Sequence, residues 1–280
     1  MKVAIIFDQH REGTTGMYWE AALRALGVTC DHWWLRDVQQ MPAAYDLYLR
    51  IDHGDDYAVE LPAHCRPAVF YAIDTHLPHS WRKIQRMATR YDRVFCCHRD
   101  AAEQLPGAEW LPVACDPAVH AGPEAERAWD VAFVGTDGGV PRKFYLQALR
   151  ERYPNSFIGT ADYRRMASMY GRSRIGFNYS IRNDVNMRMF EVMAAGALLV
   201  TDAGASADLE RLGFRNGEHL AIYRTPEELF RLMDGYLARP EERQRIARAG
   251  QRLVLERHTY RHRMQRLLAA VSQQRGPVVA

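Results

Sequence analysis

The stretch Asn186-Met187-Arg188-Met189-Phe190-Glu191-Val192-Met193-Ala194-Ala195-Gly196-Ala197-Leu198-Leu199-Val200-Thr201-Asp202 reads as a short helix running directly into a buried strand. Phe190, Met193 and Ala194 fall at i, i+3 and i+4, one stripe of a helix, and Gly196 terminates it. The apolar run that follows has strand length and no polar alternation, the pattern of a strand buried on both faces. Arg188 and Glu191 stand three residues apart in the first turns, hence on one helix face. An arginine there can grip a diphosphate with its planar fork, and a carboxylate one turn on can accept two hydrogen bonds from a ribose diol. By spacing alone, the same two residues also fit an i, i+3 surface ion pair worth about 0.3 kcal/mol.

Outward from this stretch the same alternation continues. Strands are predicted at Asp130–Val134, Ser156–Ile158, Ile175–Tyr179 and Leu220–Tyr223, with helices at Tyr145–Tyr153 and Asp162–Tyr170. From Pro226 the chain reads as helical to about Val271. In the first half, apolar runs at Val3–Phe7, His32–Leu35, Leu47–Ile51, Val69–Ile73 and Val94–Cys97 alternate with polar segments. A helix carrying Trp19, Leu23 and Leu26 stops at Gly27, and Ser80 is the expected cap of a second. Pro112, Asp116-Pro117 and Gly122-Pro123 mark a connection between two α/β halves. The expected division is an N-terminal Rossmann-like domain over 1–118 and a linker over 119–129. A second Rossmann-like domain over 130–255 and a closing helix over 256–274, packed across both domains, complete it.

The 280 residues, 48% hydrophobic and 25% charged, exclude collagen-like, disordered and disulfide-scaffold chains. A net charge of +3, from 37 Lys+Arg against 34 Asp+Glu, is too balanced for a nucleic-acid sheath. No apolar run approaches the ~20 residues of a bilayer span. The N-terminal run ends at Asp8 without a signal peptide's apolar core, so a cytoplasmic location is expected. The five cysteines, odd in number and without metal spacing, read as reduced and buried.

In open parallel sheets, ligands bind beyond the carboxyl ends of the strands. That rule picks out Gly135, Thr136, Arg142, Lys143, Asn178, Asn186, Arg188 and Glu191 in the second half as ligand-binding candidates. Gly135-Thr136-Asp137-Gly138-Gly139 lets main-chain N–H groups approach a phosphate, although it lacks the P-loop ending and the dinucleotide glycine spacing. In the first half the rule picks out Asp74 and His76, a carboxylate and an imidazole two residues apart, and His10 beside Gly13–Gly16. Asp74 is the preferred base or substrate anchor, with His76 the second choice. Asp52, His53, Asp55 and Asp56 fit no zinc pattern and read as a solvated turn, so no metal is expected.

The run Asn-x-Arg-x-Phe-Glu-x-x-Ala-x-Gly-x-Leu-Leu-Val-Thr resembles the nucleotide-sugar motif of GT-B glycosyltransferases in the glycosyl transferases group 1 family, nearest their CgeB-like (spore maturation protein-like) branch. Trp110-Leu111-Pro112 through Asp116-Pro117, Val134-Gly135-Thr136, and His258-Thr259-Tyr260-x-x-Arg263 add to the resemblance, which spans roughly residues 110–268. It implies two Rossmann-like domains with an inter-domain cleft, and a nucleotide diphosphate-sugar donor such as a UDP-, GDP- or dTDP-sugar, with no other cofactor and no metal. Glu191 would hold the ribose, Arg188 and Arg142 or Lys143 the diphosphate, and Gly135 and Thr136 would let the phosphates approach.

The wider family often carries a second glutamate eight positions earlier, where this chain has Asn183. The acceptor is an unspecified hydroxyl compound: a glycan, lipid-linked glycan, protein, metabolite or modified DNA. Arg-rich faces of the last helix could meet an anionic surface. The alternatives are a GT-B epimerase or phosphorylase, and a nucleotide-sugar-binding protein that has lost turnover.

Overall fold

The computed structural model describes residues 1–9, 12–52, 57–122 and 126–274. It divides into two compact units, one formed by Met1–Val113 with the chain from Tyr260 onward, the other by Ala114–Thr259. Each holds one parallel sheet with helices packed against it, as the strand–helix alternation predicts.

In the first unit the strands are β1 (Lys2–Ile6), β2 (Thr29–Trp33), β3 (Leu47–Ile51), β4 (Ala68–Ala72), β5 (Arg93–Cys96) and β6 (Glu109–Trp110), in the order β2-β1-β3-β4-β5-β6. All pairs are parallel. β3 and β4 are buried at every position, which is why their sequences carry no polar alternation. The helices are α1 (Thr15–Ala25), α2 (Pro78–Ala88) and α3 (Arg99–Gln104), with a 3-10 turn over Leu35–Gln40 where the sequence continued a strand to Leu35. Ser80 is not a cap. Pro78, whose ring fixes φ and which has no N–H to leave unbonded, takes the first turn, and Ser80 is buried inside the helix. All five cysteines are free and buried.

In the second unit the strands are β7 (Trp129–Val134), β8 (Ser156–Gly159), β9 (Ser173–Phe177), β10 (Leu198–Asp202) and β11 (Ala221–Tyr223), in the order β11-β10-β9-β7-β8. The chain starts in the middle, steps to one side with β8, then returns past β7 to build the other side. The direction of winding therefore reverses between β7 and β9.

Its helices are α4 (Pro117–His120), α5 (Arg142–Arg152), α6 (Tyr163–Gly171), α7 (Met187–Ala194), α8 (Ser206–Arg211), α9 (Pro226–Ala238) and α10 (Pro240–Arg257). Val131, Phe133, Leu146, Ile175, Phe177 and Val200 form its core with residues of α9 and α10.

The helical tail is broken where continuity was expected. Pro240 cannot donate into a continuing helix, and at His258-Thr259 the backbone extends to bridge Cys115. The chain then returns to the first unit as α11 (Tyr260–Gln274), where Tyr260 stacks on Tyr18 at 5.3 Å and Arg263 donates Nε to the Pro112 carbonyl at 2.8 Å.

α7 lies unusually close to its sheet. A Cβ added at Gly176 on β9 would sit 2.3 Å from Cγ1 of Val192, a stiff β-branched side chain on α7. Gly176→Ala should therefore destabilise the protein by about 1–3 kcal/mol through overpacking, measured by urea unfolding. An unchanged midpoint would show that α7 is not seated this tightly.

Candidate functional site

The carboxyl ends of β7 and β9 flank the point where the winding reverses, and Arg142 and Arg188 meet there over Phe133. Arg188, in the first turn of α7, donates Nε to the Val134 carbonyl at 3.1 Å and Nη1 to Asn178 Oδ1 at 3.2 Å. Its guanidinium lies over the Phe133 ring, 4.4 Å from the centroid. Arg142, at the start of α5, approaches the same ring at 5.6 Å and donates Nε to the Asp137 carbonyl at 3.0 Å. These hydrogen bonds go to two main-chain carbonyls and one amide oxygen, none to a carboxylate. Burial pushes the Arg142 guanidinium below its ordinary pKa, and repulsion from Arg188 pushes it further. Asp184 and Asp137 pull the other way. Two partly desolvated cations held side by side can take a multiply charged anion.

The backbone makes room for them. Gly135 has φ +146, and a Cβ there would lie 2.6 Å from Nη2 of Arg188. Any side chain at Gly135 would thus displace the arginine as well as strain the turn. Thr136 and Lys143 are exposed on the same loop and on the first turn of α5. Asn178 is fully buried, donating Nδ2 to Thr201 Oγ1 at 3.0 Å while its Oδ1 takes Arg188. It locks β9, β10 and α7 together, so its action on any ligand runs through Arg188.

Asn186 occupies the cap position of α7, yet its side chain makes no capping bond. Its Oδ1 and Ser180 Oγ are buried atoms without a hydrogen-bond partner among the described residues. Between β9 and α7, Arg182 and Asn183 both take left-handed backbone, φ 60 and 62. Such strain in a short loop is characteristic of ligand-contacting segments.

Glu191 follows one turn after Arg188, only 5% exposed. Its Oε1 lies 3.6 Å from Nε2 of His120, which is fully buried. Sequence reasoning gave His120 no role, because the Asp116–Ala121 region reads as a connection. In the structure, Asp116 caps the one-turn helix α4, and its main-chain N–H donates to His120 Nδ1 at 2.9 Å. With Nδ1 accepting, neutral His120 carries its proton on Nε2, facing the glutamate. Burial lowers the His120 pKa to about 4, so the ring is uncharged at neutral pH. Burial raises the Glu191 pKa to about 7, with Arg188 opposing. The pair is a buried carboxyl beside a neutral donor, poised to ionise near neutrality. The Asp-Pro-x-x-His spacing was the available signal for it.

The first unit brings a separate group to the ends of β3, β4 and β5. Asp52, expected as a solvated turn residue, is 4% exposed, and its Oδ2 accepts from the N–H groups of Ile73 and Asp74 at 3.0 and 3.3 Å. It shapes the turn that presents Asp74 and His76. The His76 ring meets His98 edge-on at 4.8 Å, and His98 Nδ1 is 2.7 Å from Thr75 Oγ1. Burial, aided by His76, lowers the His98 pKa to about 3 and keeps that ring neutral. His10, like His53, Asp55 and Asp56, lies outside the described residues. Among the described residues no group of three or more His, Cys, Asp or Glu is placed to hold a metal ion. Nor is any helix among them long and apolar enough to cross a membrane.

The profile of the family described as "Glycosyl transferase-like" matches residues 119–269, just over half of the chain. Among curated proteins none matches. Among solved structures, an alpha-glucosyltransferase in complex with UDP and a 13-mer DNA superposes with a TM-score of 0.73 at 11% identity, over 97% of this chain and all of that one. Anabaena Alr3699/HepE in complex with UDP and glucose gives 0.68 at 12% identity, over 98% of this chain and 100% of that one. T4 phage BGT in complex with UDP-glucose gives 0.64 at 12% identity, over 98% and 99%. At these identities the likeness is one of fold: two Rossmann-like domains, as in the GT-B fold.

The ionisation of Glu191 carries a test. Its carboxyl binds a proton more tightly folded than unfolded, so its contribution to stability is greatest below about pH 4.5. That contribution falls as pH rises to about 7, and is constant above. Glu191→Gln should therefore gain stability relative to wild type between pH 5 and pH 8, by on the order of 2–3 kcal/mol in denaturant titrations. A pH-independent difference would mean that the carboxyl is not raised.

Proposed function

The chain belongs to the glycosyl transferase-like family; on that premise we propose that it moves a sugar from a nucleoside diphosphate-sugar to an acceptor hydroxyl. The observation that carries this reading is the pair Arg188 and Arg142 over Phe133 at the β7/β9 reversal, whose hydrogen bonds go to main-chain carbonyls and the Asn178 amide, not to carboxylates. In the transfer, the bond from the anomeric carbon to the diphosphate oxygen breaks and a bond to the acceptor oxygen forms. Charge develops on the departing diphosphate, and fixed cations beside it lower the barrier. Arg188 and Arg142 take that role, with exposed Lys143 beside them and the Gly135-Thr136 turn lying against the phosphates. Glu191, ionised, accepts the ribose hydroxyls, positioned by His120 Nε2–H. Asn186 Oδ1 supplies a further acceptor for a donor hydroxyl.

On the acceptor side we assign Asp74 as the base that takes the hydroxyl proton, with His76 as second choice. The CgeB-like branch of the family is the reading that residues 110–268 support, and UDP is the first nucleotide to try, being the one named in the compared complexes. Asn183 in place of the earlier acid favours one competing reading, a protein that binds the donor without turning it over.

Arg188→Ala should weaken UDP binding about 10–100-fold by calorimetry, the loss of one or two charge-assisted hydrogen bonds. Arg188→Lys should recover only part, because an ammonium lacks the fork. Equal affinity in wild type and Arg188→Ala would remove the arginine from the site. For turnover, wild type should release UDP from UDP-glucose and Asp74→Asn should not. Tight UDP binding with no release from any nucleotide sugar would favour the binding protein.

A further inference from the structure

α7 joins two ends of the second unit. Its first turn carries Arg188, and its last turn runs into Gly196 at the opposite, amino-terminal edge of the sheet, about 12 Å away at 1.5 Å per residue. At that edge lies a cavity of about 430 Å3, lined by Arg127, Arg174, Arg243 and Arg248 together with Gly196 and Gln251. Its size is that of a small-molecule site. Among the described residues, none that lines it carries an acidic side chain.

These arginines are held by the fold. Arg127, just before β7, donates Nη1 to the Gly171 and Ser173 carbonyls at 2.6 and 3.0 Å and Nη2 to Gly196 O at 2.7 Å. Arg174 on β9 pairs with Asp130 at 2.8 Å. Arg243 on α10 is nearly buried, anchored by Nη1 to the Tyr236 carbonyl at 2.7 Å. Burial, then repulsion from Arg174 and Arg127, pushes its guanidinium below the ordinary arginine pKa, relieved only in part by Asp130. Arg248 stands exposed at the rim. Four cations around one cavity, with Asp130 set against Arg174, hold a positive potential that a bound oxyanion would neutralise. The remaining walls are glycine, alanine and glutamine, which offer no aromatic face for a base to stack on.

We propose that this cavity binds a small phosphorylated ligand, of the class of inorganic diphosphate or a sugar phosphate, at a site separate from the donor crevice. Guanidinium forks suit phosphate oxygens, and the lack of an aromatic wall selects a compact anion over a nucleotide. Arg127 and Gln251 hold the Gly196 and Ala194 carbonyls at the end of α7, Gln251 at 2.9 Å. Occupancy is thereby linked to the helix that presents Arg188 and Glu191.

The test is calorimetry of the full chain with inorganic diphosphate, on wild type, Arg248→Glu, Arg243→Gln and the double variant Arg142→Ala/Arg188→Ala. The double variant should still bind diphosphate. Arg248→Glu, an exposed change that should leave the melting temperature intact, should weaken that binding about tenfold or more. It should leave UDP affinity within about twofold. Arg243→Gln should weaken diphosphate binding likewise, with its fold checked by circular dichroism. Loss of all diphosphate binding in the double variant, or an unchanged isotherm in Arg248→Glu, would overturn the second site. So would Arg248-dependent binding to phosphatidylglycerol vesicles without any diphosphate binding, which would make the patch a membrane contact. Failure of UDP to bind wild type would count against the donor reading alone, leaving this result interpretable.

Discussion

Arg188 is held from three sides: by the Val134 carbonyl at the end of β7, by the amide of Asn178 at the end of β9, and by the face of Phe133 beneath it. That arrangement ties the first turn of α7 to two neighbouring parallel strands at the place where their winding order reverses. It requires a residue without a side chain at Gly135 and a close seat for the helix over Gly176. A parallel sheet leaves a crevice at such a reversal because the helices after the two strands depart to opposite faces. Here the crevice is lined with cations fixed before any ligand arrives, so the reorganisation needed to bind an anion is small.

The glutamate one turn on works under a different constraint. Burial works against ionisation of Glu191, which has two polar neighbours. Arg188 favours the carboxylate, and His120 presents a neutral N–H. Removing Arg188 would strip the carboxyl of the charge that opposes its protonation, whereas removing His120 leaves Arg188 and Glu191 themselves in place. On the proposed function, His120 positions Glu191. The short helix α4, packed against α6 and α7, exists in effect to deliver it.

Much of this was legible from local pattern. The run from Asn186 to Asp202 carries helix spacing, a terminating glycine and an unbroken apolar strand, and each of those signals is set by neighbours in sequence. The strand-end rule gathered Gly135, Arg142, Asn178 and Arg188 correctly to one edge of one sheet, because parallel topology fixes which loops share an edge.

What escaped was tertiary. His120 meets Glu191 from far along the chain, across a stretch rich in proline that reads as a connection. Asp52 looked solvated because acids cluster around it, whereas two main-chain N–H groups claim its carboxylate. Asn178 is picked out because it ends a strand; that its amide also joins Arg188 to Thr201 is a tertiary fact. Ser80 lost the cap to Pro78, two residues earlier. The arginine cavity at the amino edge draws on residues before β7, within β9 and along α10, which no spacing rule connects.

A crystal structure of the protein with UDP-glucose tests the central claim most directly. The account predicts diphosphate oxygens within hydrogen-bond distance of the Arg188 and Arg142 guanidinium groups, lying against the Gly135 turn, with the ribose hydroxyls on Glu191. A nucleotide bound in the second domain away from the carboxyl ends of β7 and β9, with neither arginine touching phosphate, would contradict it.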